Sequence, residues 1–547
     1  MVIGKYIRTI RYLQFKQIFY LLIRKTGLLN FTLKIDQSKI SIRSTKRRWE
    51  TWIPRKSFFS APQTFHFLNQ SAAIDFNNGW YSTQNKLWRY NLHYFDYLLT
   101  LNSVVAQTLL DNWIENNPVN KHIAWDPYPL SLRIVNWIKW ALQGNTLTLL
   151  QLQSLITQTI YLSKNIEYHL QANHLFENAK ALVFAGLFFD SEFGDKFFKK
   201  GKSILEEEIN KQILDDGAHY ELSPMYHAII LEGLLDILQL VVIYQKSFPA
   251  DWYGKIQQMF IWLKKMTHPD GGPAFFNDTT NEVAPTLLEL KNYAEFLGIN
   301  LEQNDIFCDE KLTESGYVRF IRGKAHLFID VANVKADYQP GHTHADSLSF
   351  EFSYDKERIF VNSGISTYWD NSLRAWQRST KAHNALVLHD QNSSEVWSNF
   401  RLGRRARIID PKIELKELGR FSASAGHDGY NIKGIRALVF RKFTFEAGLL
   451  QIEDKIVGKY NNEIKIYFHL HPAIKIISAL NNVFTFQIEN GQIVCFFPKE
   501  AKLDVIKSYY YPAFNYSEPN KTIVLSFTKS SENNSFIANT LIKWEES

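Results

Sequence analysis

The feature that most constrains this chain is a change of hydrophobic period near residue 300. From about Trp88 to Leu297 apolar residues recur at helical spacing, through Tyr97–Asn116, Leu130–Leu142, Leu147–Leu170, Leu175–Phe189, Phe198–Gln212, Tyr226–Tyr244, Trp252–Met266 and Pro285–Leu297. Gly144, Gly194, Asp215-Asp216-Gly217 and Pro269-Asp270-Gly271-Gly272 punctuate them. Consecutive helices with no strands between them cannot build a βαβ unit and must pack as helical hairpins, which predicts an α/α toroid (an incomplete helical barrel) or a solenoid. Beyond Leu297, stretches such as GYVRFIRGKAHLFIDVANV, DSLSFEFSYDKERIFVNSG and FTFQIENGQIVCFF alternate with a period of two, which predicts an antiparallel β-sandwich running to the C-terminus. A chain of 547 residues exceeds what one core can serve. The expected fold is therefore α+β and multidomain: a basic amphipathic extension over 1–60, the toroid over 61–305 and the sandwich over 306–547.

The net charge of +7 favours an anionic partner. Its only dense basic blocks, Lys46–Arg48 and Arg401–Arg407, are too small for a nucleic-acid binder. Aromatic residues make up 15% of the chain, a surplus that suits either core filling or a cleft for flat sugar rings. Cys308 and Cys495 show no CxxC spacing and cannot form a disulfide framework. The first 25 residues alternate basic and apolar side chains, with Ile7, Ile10, Leu13, Ile18 and Leu21 set against Lys5, Arg8, Arg11 and Lys16. The apolar run Ile18–Ile23 is too short to span a bilayer, and no signal-peptide pattern precedes a cleavage site. Docking onto the protein body or peripheral membrane contact both fit such a helix. The expected location is cytoplasmic or peripheral at an inner membrane, with the cell envelope or periplasm as the alternative.

Four groups carry candidate chemistry. In QANHLFENAK, His174 and Glu177 are one helical turn apart, so the carboxylate can orient the imidazole; helix capping by Asn173 is the structural alternative. In ELSPMYHAIILEG, Ser223-Pro224 starts a helix and puts Tyr226 and His227 in its first turn, at the rim of a helical barrel, where the helix dipole lowers a phenol modestly. In GHTHADS, strand geometry would turn His342, His344 and Asp346 to one side, and HxH is a recurring metal-ligand spacing that Asn362 and His383 can extend. Arg374, Arg378 and Lys381, with Arg133 and Trp137 in PYPLSLRIVNWIKW, are candidates for gripping a carboxylate or a sugar face.

Together the segments WRYNLHYFDYL, PYPLSLRIVNWIKW, ANHLFENAKALVFAGLFF, DGAHYELSPMYHAIILE, GHTHADSLSFE and RSTKAHNALVLHDQNSSEVW resemble the heparinase II/III-like polysaccharide lyases, especially members associated with bacterial surface-polysaccharide gene clusters. The resemblance implies the toroid and sandwich, an acidic polysaccharide as partner and a β-elimination at a uronic acid. It implies Asn173 and His174 at the substrate carboxylate, Tyr226 as acid or base and His342 as base. Glu177, Arg133, Trp137, His227 and Arg378 complete the expected substrate contacts. His344, Asn362 and His383 match a structural divalent-metal cluster (zinc or calcium) whose middle ligand is typically Asp in relatives; no other cofactor is expected. Two other functions fit the composition: a glycoside hydrolase drawing on Asp215, Asp216 and Glu221, and a non-catalytic glycan-binding factor.

Overall fold

A computed structural model describes residues 2–25, 40–54, 58–78, 80–120, 122–301, 311–416, 420–460, 463–528 and 535–545. The helical half follows the apolar periodicity closely. Helices run over Lys86–Tyr94, Ser103–Asn116, Pro127–Leu142, Leu149–Lys164, Ala172–Phe188, Glu192–Gln212, Pro224–Ile243, Ala250–Lys265 and Leu287–Phe296. Every second helix packs on the next: Lys86–Tyr94 on Pro127–Leu142, that on Ala172–Phe188, then Pro224–Ile243 and finally Leu287–Phe296. These form the inner ring and the intervening helices the outer one, the α/α toroid. The inner helices Ala172–Phe188 and Pro224–Ile243 are buried on nearly all faces. That explains why Pro224–Ile243 is long and apolar enough to cross a membrane although 89% of its most apolar window is covered by protein. Gly186 and Gly201 bring Ala172–Phe188 against its outer neighbour, since a Cβ on Gly186 would meet the Phe198 backbone at 2.4 Å.

The long segment expected over Leu147–Leu170 ends at Lys164. The chain then crosses the rim, and Ile166 and Glu167 are buried in that crossing rather than in a further turn. Before the first ring helix, strands Phe58–Ser60, Thr64–Phe67 and Gln70–Ala73 form a small antiparallel sheet that the sequence had not indicated. Phe65 and Phe67 bury it against Trp80, Trp88 and Tyr97.

The strand pairs described in the second half are antiparallel, and a single parallel bridge joins Gly364 to Tyr511. Strands Tyr317–Arg322, Ala325–Asp330, Phe350–Tyr354 and Glu357–Phe360 form a meander. A large sheet runs from Ile408–Lys416 through Ile435–Glu446, Leu449–Lys459 and Ser535–Trp544 to Lys475–Leu480, and a third contains Leu386–Leu388, Ile464–His469, Tyr516–Phe527 and Lys502–Ala513. Phe350 ties these layers together through edge contacts with Phe443 and Phe468. Trp262, Phe276, Tyr317 and Phe328 form a separate apolar cluster joining toroid to sandwich. Arg358 clamps Asp270 across the same junction at 2.7 and 3.0 Å. Cys308 and the expected toroid–sandwich boundary at 305/306 lie outside the described residues.

Candidate active site

Successive inner helices are parallel to one another, because each returns through an antiparallel outer helix. Their N-termini therefore share one rim, and the positive ends of their dipoles point at whatever lies there. Gln171 and Ala172 enter helix Ala172–Phe188 with φ of 60° and 51°, a region costly for residues with a side chain. Gln171 is the cap, so Asn173 does not cap the helix and its amide is free to donate to Glu221 Oε2 at 3.2 Å. His174 is oriented by Glu167, whose Oε2 lies 3.2 Å from Nδ1, not by Glu177. Glu177 shares the expected face but is buried against Lys180 at 2.7 Å, where it satisfies that ammonium. Burial pushes the Glu167 carboxyl up, but His174 and the Asn178 amide reverse this and hold it below its ordinary value.

Ser223 caps the next inner helix, its hydroxyl oxygen accepting from the Tyr226 N–H at 3.3 Å. The Tyr226 hydroxyl is 3.0 Å from the Tyr368 hydroxyl, and its ring stacks on His342 with centroids 3.9 Å apart. Burial, reinforced by Tyr368, Asp278 and Glu221, pushes this phenol well above its ordinary value. The expected lowering by the helix N-terminus is overridden: desolvating a phenolate costs more than a dipole returns. His227 turns away from the rim, facing Met259 O at 2.9 Å and packing on Trp262. Burial brings it down to about 3. It is a core residue, not a substrate contact.

The GHTHADS segment is a series of turns rather than a strand, so its histidines do not converge by a two-residue repeat. They converge on Asp278, a fully buried carboxylate that sequence reasoning missed. Its Oδ2 lies 2.8 Å from His342 Nδ1 and its Oδ1 2.8 Å from His344 Nε2, while Arg374 donates to both oxygens at 2.5 and 2.7 Å. Burial pushes Asp278 up, yet Arg374 and the two imidazoles hold it well below the usual carboxylate range. An ionised carboxylate only accepts, so His342 carries a proton on Nδ1, and the lone pair of its neutral form lies on Nε2. That nitrogen is 3.9 Å from Glu221 Oε1, a buried oxygen with no hydrogen-bond partner. Burial pushes Glu221 up, against the pull of His342 and of the Asn173 amide. Asn173, Glu221, His342, Tyr226 and Tyr368 thus form one continuous cluster, with His174 beside it on the rim.

Other expected contacts are structural. Arg133 is buried, donates to Gln158 Oε1 at 2.8 Å and His93 O at 3.2 Å, and lies 4.0 Å over the Trp113 ring. Trp137 fills the same core between Phe95 and Trp113. Arg378 is spent on the carbonyls of Thr343, Ser398 and Asn399. Of the three carboxylates a hydrolase would use, only Glu221 faces the cluster. Asp216 accepts from Ser315 N and Ala218 N in a turn, and the Asp215 N–H donates to Glu314.

His344, Asp346 and His383 each bring one ligand atom within 4.8 Å of the others, all buried. His383 Nδ1 faces the Ser379 carbonyl at 2.8 Å and His344 Nε2 faces Asp278, so both of those nitrogens carry hydrogen. His344 Nδ1 and His383 Nε2 are then two bare lone pairs meeting at 3.2 Å. Burial holds both imidazoles down to about 4, so a proton does not bridge them at neutral pH. The donor set fits a divalent cation. The Asn362 carbonyl already accepts from Asn384 N at 3.3 Å, and its Nδ2 is buried without a partner.

Comparison with known proteins agrees with this architecture. The family model for the heparinase II/III N-terminus matches residues 6–306, and that for the heparinase II/III-like C-terminal domain matches 307–539. A heparin-sulfate lyase of Bacteroides stercoris is 23% identical over 426 residues, covering 71% of this chain and 60% of that protein. A heparin-sulfate lyase of Pedobacter heparinus is 26% identical over 318 residues, covering 51% of this chain and 47% of that protein. The chain thus spans only about half to three-fifths of the length of these curated relatives. A crystal structure of heparinase III superposes with a TM-score of 0.70 at 19% identity, covering 85% of this chain and 79% of that one.

Proposed function

The chain belongs to the heparinase II/III-like family, and from that premise we propose that it is a polysaccharide lyase cleaving an acidic glycan by β-elimination at a 4-linked uronic acid. The C5 proton of a uronate is weakly acidic because its removal puts a second negative charge beside the carboxylate. Stabilising that developing charge is the largest catalytic demand. The Asn173 amide and the His174 imidazole supply hydrogen-bond donors on one side of the rim, as does the Glu221 carboxyl in its protonated form, which burial favours. His342 Nε2, the lone-pair nitrogen of the neutral tautomer that Asp278 selects at Nδ1, removes the C5 proton. As the C4–O4 bond breaks and the C4=C5 bond forms, Tyr226 passes its phenolic proton to the leaving O4. A bound divalent ion, held by His344 and His383 with Asp346 supplying the carboxylate that Asn362 lacks, would have a structural role, stiffening the His344–Asp278 contact.

The observation that carries this reading is the unbroken run from Asn173 through Glu221 and His342 to Tyr226. We read the natural polymer as a bacterial surface glycan, on the resemblance to members tied to such gene clusters. The test is ultraviolet absorbance of the unsaturated uronate product during incubation with heparin, chondroitin sulfate and unsulfated polyuronates. Tyr226→Phe should lower turnover by about 10²–10⁴-fold with folding intact, because its hydroxyl meets only the Tyr368 hydroxyl among the described hydrogen bonds. Full turnover in that variant, or glycan binding by the wild type without cleavage, overturns the reading.

A further inference from the structure

Residues 2–25 form two short helices, Val2–Ile10 and Phe15–Lys25, and the face they turn to the protein is not the apolar one. Arg8 makes a two-pronged pair with Glu395 at 2.6 and 2.7 Å, and the Trp397 indole donates to the Thr9 hydroxyl. Arg405 stacks on Tyr12, Gln17 donates to the Tyr338 carbonyl, and Tyr20 packs on Tyr168. Polar and aromatic side chains therefore strap the two helices across toroid and sandwich. The opposite face carries Ile3, Ile7 and Ile10 on one helix and Phe15, Phe19 and Leu22 on the other, each set spaced i, i+4, i+7. All six are at least 47% exposed, and Phe15 reaches 83%. Soluble surfaces rarely expose an apolar stripe on each of two consecutive helices.

We propose that this face seats the protein on an anionic lipid surface. Charge selects that occupant: residues 1–25 contain six lysines and arginines and no acidic residue, and of the six Arg8 and Lys16 pair with Glu395 and Glu207 of the protein body. An apolar stripe flanked by cations is the composition of helices that lie in the interface of anionic bilayers. Arg11 and Arg24 are exposed, meeting the neutral groups of Tyr12 and His169. The two-helix segment also abuts the candidate site, since the Gln171 amide donates to Gln14 two residues before Asn173. Seated this way, the rim lies within about one helix diameter, roughly 10 Å, of the lipid. The proposal does not depend on the lyase reading.

The test is co-sedimentation of the full chain with phosphatidylglycerol–phosphatidylcholine vesicles and with pure phosphatidylcholine vesicles, at low and high salt. The wild type should sediment with the anionic vesicles only, and less so as salt rises. Ile7→Glu/Phe15→Glu, at positions not used to hold the two helices, should weaken this by at least about ten-fold without changing the melting temperature or glycan turnover. No sedimentation with anionic vesicles overturns the proposal, as does equal binding by the variant. A concentration-dependent dimer that the same variant dissociates would also overturn it, by assigning the face to a second copy of the chain.

Discussion

Asp278→Asn is the most informative single substitution. The wild-type carboxylate accepts four N–H donors: two from Arg374 and one each from His342 and His344. Arg374 and Asp278 are both fully buried. At an effective dielectric of about 20, an ion pair at roughly 4 Å is worth about 4 kcal/mol, and stranding one buried partner costs about 3–5 kcal/mol. Asparagine offers one oxygen to those four donors and turns an N–H₂ toward the rest. The variant should therefore unfold in urea with a free energy lower by about 3–5 kcal/mol. Arg374 also donates to the Asn399 carbonyl at 3.1 Å, so Asp278→Asn/Arg374→Met should recover much of the loss but not all of it. Turnover should not recover fully in the double variant, because one neutral amide oxygen shared by His342 and His344 replaces the carboxylate that held each imidazole on its own oxygen. An unchanged urea midpoint in Asp278→Asn, or strictly additive losses in the double variant, would refute the view that this carboxylate organises the site.

A chelator should lower the melting temperature of protein loaded with zinc, and His383→Ala should abolish the bound zinc seen by elemental analysis; wild-type protein that takes up no zinc refutes the assigned ligand set. Glu351 is buried against His268 at 2.7 Å, and burial pushes its carboxyl up to about 7 from an ordinary 4.5. Because the folded value is raised, the stability it gives is fully present below about pH 4.5 and is lost as pH rises through 7, amounting to roughly 3 kcal/mol. Glu351→Gln should flatten that part of the stability–pH curve, and an identical slope in wild type and variant would count against it. Arg133→Met should lower stability by about 2–3 kcal/mol while leaving KM within about two-fold; a large rise in KM at unchanged stability would return Arg133 to the substrate.

The fold was legible because both halves obey simple periods over long stretches. The helix starts were legible too: Ser223-Pro224 marks its cap in the sequence as plainly as in the structure. The partners of the site residues were not. Glu177 looked like the partner of His174 because spacing along one helix is visible, whereas Glu167 sits across a chain crossing seven residues earlier. Asp278 carries no periodic signal; its only trace is a short polar patch, NDTTNE, between apolar neighbours. Arg133, Trp137, His227 and Arg378 are side-chain types that bind glycans when exposed, and all four are buried. Sequence reports which residues share a face, but not whether that face turns inward. Glu221 was considered only as a hydrolase carboxylate, since burial, which raises its affinity for a proton, is a property of the folded chain.

The electrostatic arrangement of the rim bears on what substrate it can receive. A polyanion cannot approach a cleft that displays bare carboxylates, yet three carboxyl groups lie in or beside this cluster. Each is covered in a different way. Asp278 has its charge taken up by Arg374, Glu167 is hydrogen-bonded to the His174 ring and the Asn178 amide, and Glu221 is inclined by burial toward its neutral form. The acid and base are also set up differently, since burial keeps the Tyr226 phenol protonated while Asp278 fixes the tautomer whose lone pair is on His342 Nε2. Proton removal at one carbon and proton delivery to the neighbouring oxygen need that division of labour, with little net negative charge nearby to oppose a second anion on the sugar. Glu221→Gln separates the two parts of this reasoning. It keeps a neutral donor beside Asn173, so turnover should survive with weakened pH dependence, whereas Glu221→Ala should lose turnover by removing the donor. Equal loss in both variants would show that the Glu221 charge itself is required, and a site built to receive a uronate by suppressing its own carboxylates would no longer be tenable.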